Sequence, residues 1–94
     1  MLETANVSNM RRAPRLDVYV SSHCSNCGEA RLLADEAAAA YPALSVHVID
    51  LDATEGPAPE YVVAAPTYVL NGRVISLGNP YREELFGYLL EAVA

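Results

Sequence analysis

The chain of 94 residues has no lysine, no tryptophan, no glutamine and a single phenylalanine. The missing lysine removes Schiff-base catalysis. Six Lys+Arg stand against twelve Asp+Glu, for a net charge of −6, and no basic run is longer than Arg11-Arg12. Nucleic acid and anionic membrane surfaces are therefore poor partners. No apolar run approaches the roughly 18–20 residues that a membrane-spanning helix needs. The first 14 residues contain no apolar stretch of roughly 7–15 residues of the kind a secretory signal carries, so a cytoplasmic chain is expected. Two cysteines cannot make a disulfide scaffold. In a reducing compartment a close pair of them reads as redox-active or metal-binding rather than structural. What is present is 52% hydrophobic and 19% charged, with a mean hydropathy of +0.13, the composition of one small globular domain.

Residues 1–14 show no period and end in Pro14. They are expected to be a flexible leader ahead of a domain over 15–94, and the sequence leaves Met1 and Met10 both open as translation starts. Alternating Leu16, Val18 and Val20 predict a strand over Arg15 to Ser21. Strong helix formers predict a helix from Cys24 or Ser25 to about Ala40, stopped by Pro42. Asn26 and Glu29 have capping-box spacing, with Ser25 a rival N-cap. Leu44 to Leu51 predicts a second strand, completing a right-handed parallel βαβ unit. A loop over 52–65 with one helical turn near Pro59 to Val62 follows. Asn71-Gly72 between two apolar runs predicts a type I′ hairpin joining Thr67–Leu70 to Arg73–Leu77. Asn79 as N-cap and Pro80 as first helical residue predict a last helix, burying Leu85, Leu89 and Ala92 with Tyr88 beside them. The fold class is α/β, β-α-β-β-β-α, with a four-stranded mixed sheet and helices packed on it.

Cys24-Ser25-Asn26-Cys27 is the main chemical signal. Residues i and i+3 at a helix start are close enough for a disulfide. The unpaired N–H groups of the first turn favour a thiolate on the first cysteine, and a thiolate is the nucleophile of disulfide exchange. Cys24 is then the attacking thiol and Cys27 the resolving one. A protonated His23 would further stabilise the Cys24 thiolate. Two other readings compete. Both cysteines could simply be buried, or they could bind metal. A zinc site from His23, Cys24, Cys27 and His47 lacks the usual second paired knuckle. A metal or cluster bridging two chains would take two thiolates from each.

With Ala65-Pro66-Thr67 opening a strand about 40 residues after the cysteines, the Asn71-Gly72 hairpin and Gly78 before a last helix, the chain from about Leu16 to Val93 resembles the thioredoxin/glutaredoxin superfamily. The resemblance implies that Pro66 is a cis-proline lying against the cysteines, with the Ala65 backbone pairing with the substrate chain. It also implies that Gly78 and Asn79 contribute to substrate binding. Several positions depart from the family pattern. The dipeptide between the cysteines is Ser-Asn, not Gly-Pro or Pro-Tyr, and His23 stands where thioredoxins usually carry tryptophan. Val18 occupies the place of their buried aspartate. The chain ahead of Arg15 is too short for the extra βα unit of full thioredoxins. Gly78-Asn79-Pro80 replaces the double glycine and acidic residues that bind glutathione, and no lysine lies near the cysteines.

The implied activity is thiol–disulfide oxidoreduction with protein or low-molecular-weight thiols through Cys24 and Cys27. No cofactor beyond that pair and no metal are expected, with glutathione a candidate co-substrate. The implied partners are protein disulfides and a reductase or glutathione, met by a monomer. A non-catalytic redox-sensing module on the same fold and a metal- or cluster-bridged dimer are the alternatives.

Overall fold

The structure, a computed structural model, describes residues 13–53 and 56–94. The expected leader lies outside the described residues up to residue 12. At Pro14 the chain is already tied to the sheet, its carbonyl accepting the Ser45 N–H at 2.8 Å.

The elements follow the order β1 (Arg15–Val20), α1 (Cys27–Ala40), β2 (Ser45–Asp50), β3 (Thr67–Leu70), β4 (Arg73–Leu77) and α2 (Arg82–Val93). They build one four-stranded sheet in the order β2-β1-β3-β4. β1 and β2 are parallel, with Val18 beside Val48. β3 runs antiparallel to β1, with Tyr68 beside Val18, and β4 antiparallel to β3. This is the mixed α/β sheet the sequence predicts. The crossover helix supplies the parallel pair and the Asn-Gly turn supplies the antiparallel one. Asn71 and Gly72 both have positive φ, 52° and 83°, as a type I′ turn requires.

Alternation sorts the strand residues between two faces. Leu16, Val18 and Val20 of β1 and Tyr68 and Leu70 of β3 form one cluster with Ala30, Leu33, Ala34 and Ala37 of α1 and Leu85 and Leu89 of α2. Small alanines on α1 let the helix lie close to the sheet, and the leucines fill the space between the layers. Fully burying one such leucine contributes about 1.5–3 kcal/mol. Arg82 joins the helices, bonding Glu36 at 2.9 Å and lying 4.5 Å from the Phe86 ring centre. Tyr88, expected beside this face, is 47% exposed. On the opposite face, Tyr19, Thr67 and Val69 are buried, and a cavity of about 290 Å³ opens between Tyr19, Ile49, Leu51 and the Gly56–Pro59 segment. The expected helical turn there is a single turn closed by Val62 N–H to the Pro59 carbonyl at 2.9 Å.

α1 begins after the Asn26 that the capping-box spacing marked, rather than at Cys24 or Ser25, and α2 begins later than expected. α1 begins at Cys27, with Asn26 as N-cap and no side-chain cap bond. Cys24 and Ser25 belong to the turn before it. α2 begins at Arg82 with Tyr81 as N-cap, so Asn79 is not the cap and Pro80 is not the first helical residue. For α2 the cause is a competing pair of partners. The Asn79 side chain, free to cap in a sequence-only reading, reaches across to Tyr68 and to the Asn26 carbonyl.

Candidate active site

Topology gathers the candidate residues at one edge of the sheet. Cys24 follows the C-terminal end of β1. Because β3 is antiparallel to β1, with Thr67 beside Tyr19, the start of β3 lies at that same edge. β4 is antiparallel to β3 with Leu77 beside Thr67, which returns Gly78 and Asn79 there as well.

Cys24 and Cys27 are joined by a disulfide, with Cα atoms 5.4 Å apart, inside the usual range for a bridge. The proximity does not come from two positions in one helix, as the spacing suggested. It comes from a turn in which the Cys27 N–H donates to the Cys24 carbonyl at 3.3 Å. Cys27 is buried at 3% exposure, whereas Cys24 is half-buried and packs on the edge of the same core cluster. Ala65 packs on that cluster too, and the Ala65–Pro66 peptide is cis. The Pro66 carbonyl accepts the Gly78 N–H at 2.7 Å, and Gly78 sits at φ +90°, a conformation that favours glycine. The two segments that the resemblance assigns to substrate are thereby tied to each other.

His23 is exposed in the turn ahead of Cys24. Its neighbour Ser22 gives both its N–H and its hydroxyl to Asp52, at 2.7 and 2.5 Å. These two bonds, with the nearby His23 a smaller contribution, hold the Asp52 carboxyl below its ordinary pKa. His47 lies elsewhere, exposed on β2 and bonded to Ser45 at 2.9 Å. The four residues of the alternative zinc reading are thus not brought together. Among the described residues no group of three or more His, Cys, Asp or Glu is placed to hold a metal ion.

Two residues that sequence reasoning did not single out belong to this edge. Tyr68 is fully buried beside Val18, and its hydroxyl donates to Asn79 Oδ1 at 2.7 Å. Burial, and next the charge of Glu29, push its phenol well above the ordinary tyrosine range. Asp52 is the second. Alternation along β3 could have placed Tyr68 on the core face with Leu70. Nothing local marked Asp52, because its partner is 30 positions away in the chain.

A mixed sheet with a CxxC pair at its first strand–helix junction and a cis-proline strand beside it defines the thioredoxin-like class. No family model matches the chain. It is 33% identical over 73 residues, 76% of this chain and 86% of the relative, to the thioredoxin of Methanocaldococcus jannaschii. Among solved structures it is similar to Fasciola hepatica thioredoxin, with a TM-score of 0.70, 18% identity and coverage of 97% of this chain and 92% of that one. It is also similar to oxidised thioredoxin from Plasmodium falciparum, with a TM-score of 0.66, 16% identity and coverage of 100% and 93%. The chain belongs to the thioredoxin family, and its kind of function is thiol–disulfide oxidoreduction. No helix among the described residues is long and apolar enough to cross a membrane.

Proposed function

We propose that the chain is a small cytoplasmic, monomeric oxidoreductase that reduces protein or low-molecular-weight disulfides, with Cys24 as nucleophile and Cys27 as resolving thiol. The supporting observation is the unequal burial of the pair. Cys24 sits at the surface where a substrate can reach it, and Cys27 lies beneath at 3% exposure. In the reduced protein the Cys24 thiolate attacks one sulfur of the substrate disulfide. A mixed disulfide forms and the other substrate sulfur leaves as a thiolate, which takes up a proton. Cys27 loses its proton and attacks Cys24 Sγ, the mixed disulfide breaks, and the second substrate thiol departs. Two electrons have moved from the dithiol to the substrate, leaving Cys24–Cys27 oxidised. A reductase or glutathione then restores the dithiol.

His23 stabilises the thiolate when protonated. The Ala65 backbone beside Pro66, together with Gly78 and Asn79, lines the approach of the substrate chain. The pair itself carries the electrons, with no bound cofactor or metal.

The test is equilibration against glutathione buffers with thiols counted by alkylation. A single two-electron transition near or below about −200 mV is expected of a reductant. Cys24→Ser should abolish exchange and Cys27→Ser should trap mixed disulfides. Faster alkylation of Cys27 than of Cys24 would reverse the roles. No intramolecular disulfide at any buffer ratio would sink the reading.

A further inference from the structure

The Asn79 amide has one accepting and one donating end, and both are engaged. Oδ1 accepts the Tyr68 hydroxyl at 2.7 Å, and Nδ2 donates to the Asn26 carbonyl at 2.8 Å. Tyr68 is fully buried, so its hydroxyl needs a protein partner. The Asn26 carbonyl can only accept, so it takes Nδ2 and leaves Oδ1 to the Tyr68 hydroxyl, which fixes which way round the amide sits. The Asn26 carbonyl receives a second donor, the Ala30 N–H, at 3.3 Å.

This carbonyl and the Cys27 N–H belong to one planar peptide unit. Drawing the oxygen toward Asn79 and into the helix turns the N–H the opposite way, toward Cys24, whose carbonyl it meets at 3.3 Å. When the disulfide opens, a thiolate on Cys24 depends on the N–H groups of this first turn beyond Cys27, whose own N–H is held by the Cys24 carbonyl. Donors already held in place stabilise charge without reorganising.

We infer that Asn79, held by the buried Tyr68 hydroxyl, is a positioning residue that favours the Cys24–Cys27 dithiol over the disulfide by fixing the Asn26–Cys27 peptide. The inference rests on the exchange chemistry proposed above and adds to it. A side chain taken for a helix cap acts on the pair from behind, besides lining the substrate approach proposed above.

The experiment compares the full chain with Asn79→Ala, Tyr68→Phe and the double variant. It reads the equilibrium constant against glutathione and the pH midpoint of Cys24 alkylation. His23, Asp52 and Glu29, the charged groups around the pair and the phenol, are kept in every variant. Asn79→Ala should shift the equilibrium toward the disulfide by about 2- to 10-fold, the range spanned by one hydrogen bond. A tenfold shift corresponds to about 30 mV for a two-electron couple. The alkylation midpoint should rise. Tyr68→Phe should shift both in the same direction by less. In the double variant it should add nothing, because the two act in series.

Leu89→Val, a core substitution in α2, should lower stability without moving either readout. Unshifted values in Asn79→Ala overturn the inference while leaving the exchange chemistry standing. Additive effects in the double variant overturn the series arrangement. A wild-type chain that forms no Cys24–Cys27 disulfide overturns the exchange reading, and this inference with it.

Discussion

Ser22 gives both its backbone and its side-chain donor to one oxygen of Asp52, and that pairing has a measurable sign. The carboxyl is held below its ordinary value of 3.8 mainly by the Ser22 hydroxyl, then by the Ser22 N–H. A carboxyl with a depressed folded pKa binds fewer protons when folded than when unfolded. It therefore contributes stability above the unfolded pKa and loses it as pH falls through the folded one. Ser22→Ala removes the larger of the two bonds and keeps the other. The variant should be less stable than the parent at neutral pH, and the gap should close as pH drops below 3.8. Denaturant titrations at a series of pH values check this. A gap that persisted unchanged as pH fell far below that ordinary value would show that Ser22 acts through something other than the carboxylate. The bond also anchors the end of β2 to the turn preceding Cys24, so the same variant tests how firmly that turn is held.

Elements with a short-range cause were legible in the sequence, and the β3–β4 hairpin is the clearest. Asn71 and Gly72 take the positive φ values that the turn needs. Asn71 also closes the edge of the sheet, exchanging bonds with the Arg15 backbone at 2.8 and 2.9 Å. Gly72→Ala would force a Cβ into the left-handed region at φ 83°, at a cost of about 1–2 kcal/mol. Gly87→Ala is the contrasting case. That glycine lies inside α2 with open space around its added Cβ, and alanine there should stabilise by about 0.5–1 kcal/mol. Thermal melts of the two variants should move in opposite directions. If both destabilised, helical propensity would not govern position 87.

The start of α2 was misread because its cause is long-range, whereas Asn26 does stand at the N-cap of α1. Asn26, Ser25 and Asn79 all have capping chemistry, yet no side chain caps either helix. Asn79 pairs with groups 11 and 53 positions away, a choice no local window contains. At the site, the cysteine spacing announced the pair itself. The burial difference between Cys24 and Cys27 and the Tyr68–Asn79 chain required the packed sheet.

For the molecule as a whole, the core carries its own pH limit on the alkaline side. Six tyrosines are spread along the chain, and two of them are locked into the sheet on opposite faces. Tyr19, on the face away from the helices, has its phenol pushed up to about 12, by burial first and then by its hydrogen bond with Tyr61. Tyr68, on the helix face, is pushed up as well. In the unfolded chain both return to the ordinary value of 10.0. Between that value and the raised folded values, the unfolded chain has released protons that the folded one still holds. Stability from these groups is thus fully present below pH 10.0 and is lost as pH rises toward and beyond about 12. Each phenolate also adds charge to a chain already at −6, which opposes compaction further. Urea titrations from neutral pH upward should show stability falling once pH passes 10.0, with phenolate absorbance from the buried rings appearing only as the chain unfolds. Tyr68→Phe should be less stable than the parent near neutral pH, because Asn79 loses its donor. Its stability should nevertheless fall less steeply above pH 10.0, because one of the two groups driving the loss is gone. Equal alkaline slopes for the variant and the parent would mean that the Tyr68 phenol ionises in the folded protein, and that its buried bond to Asn79 does not hold the proton.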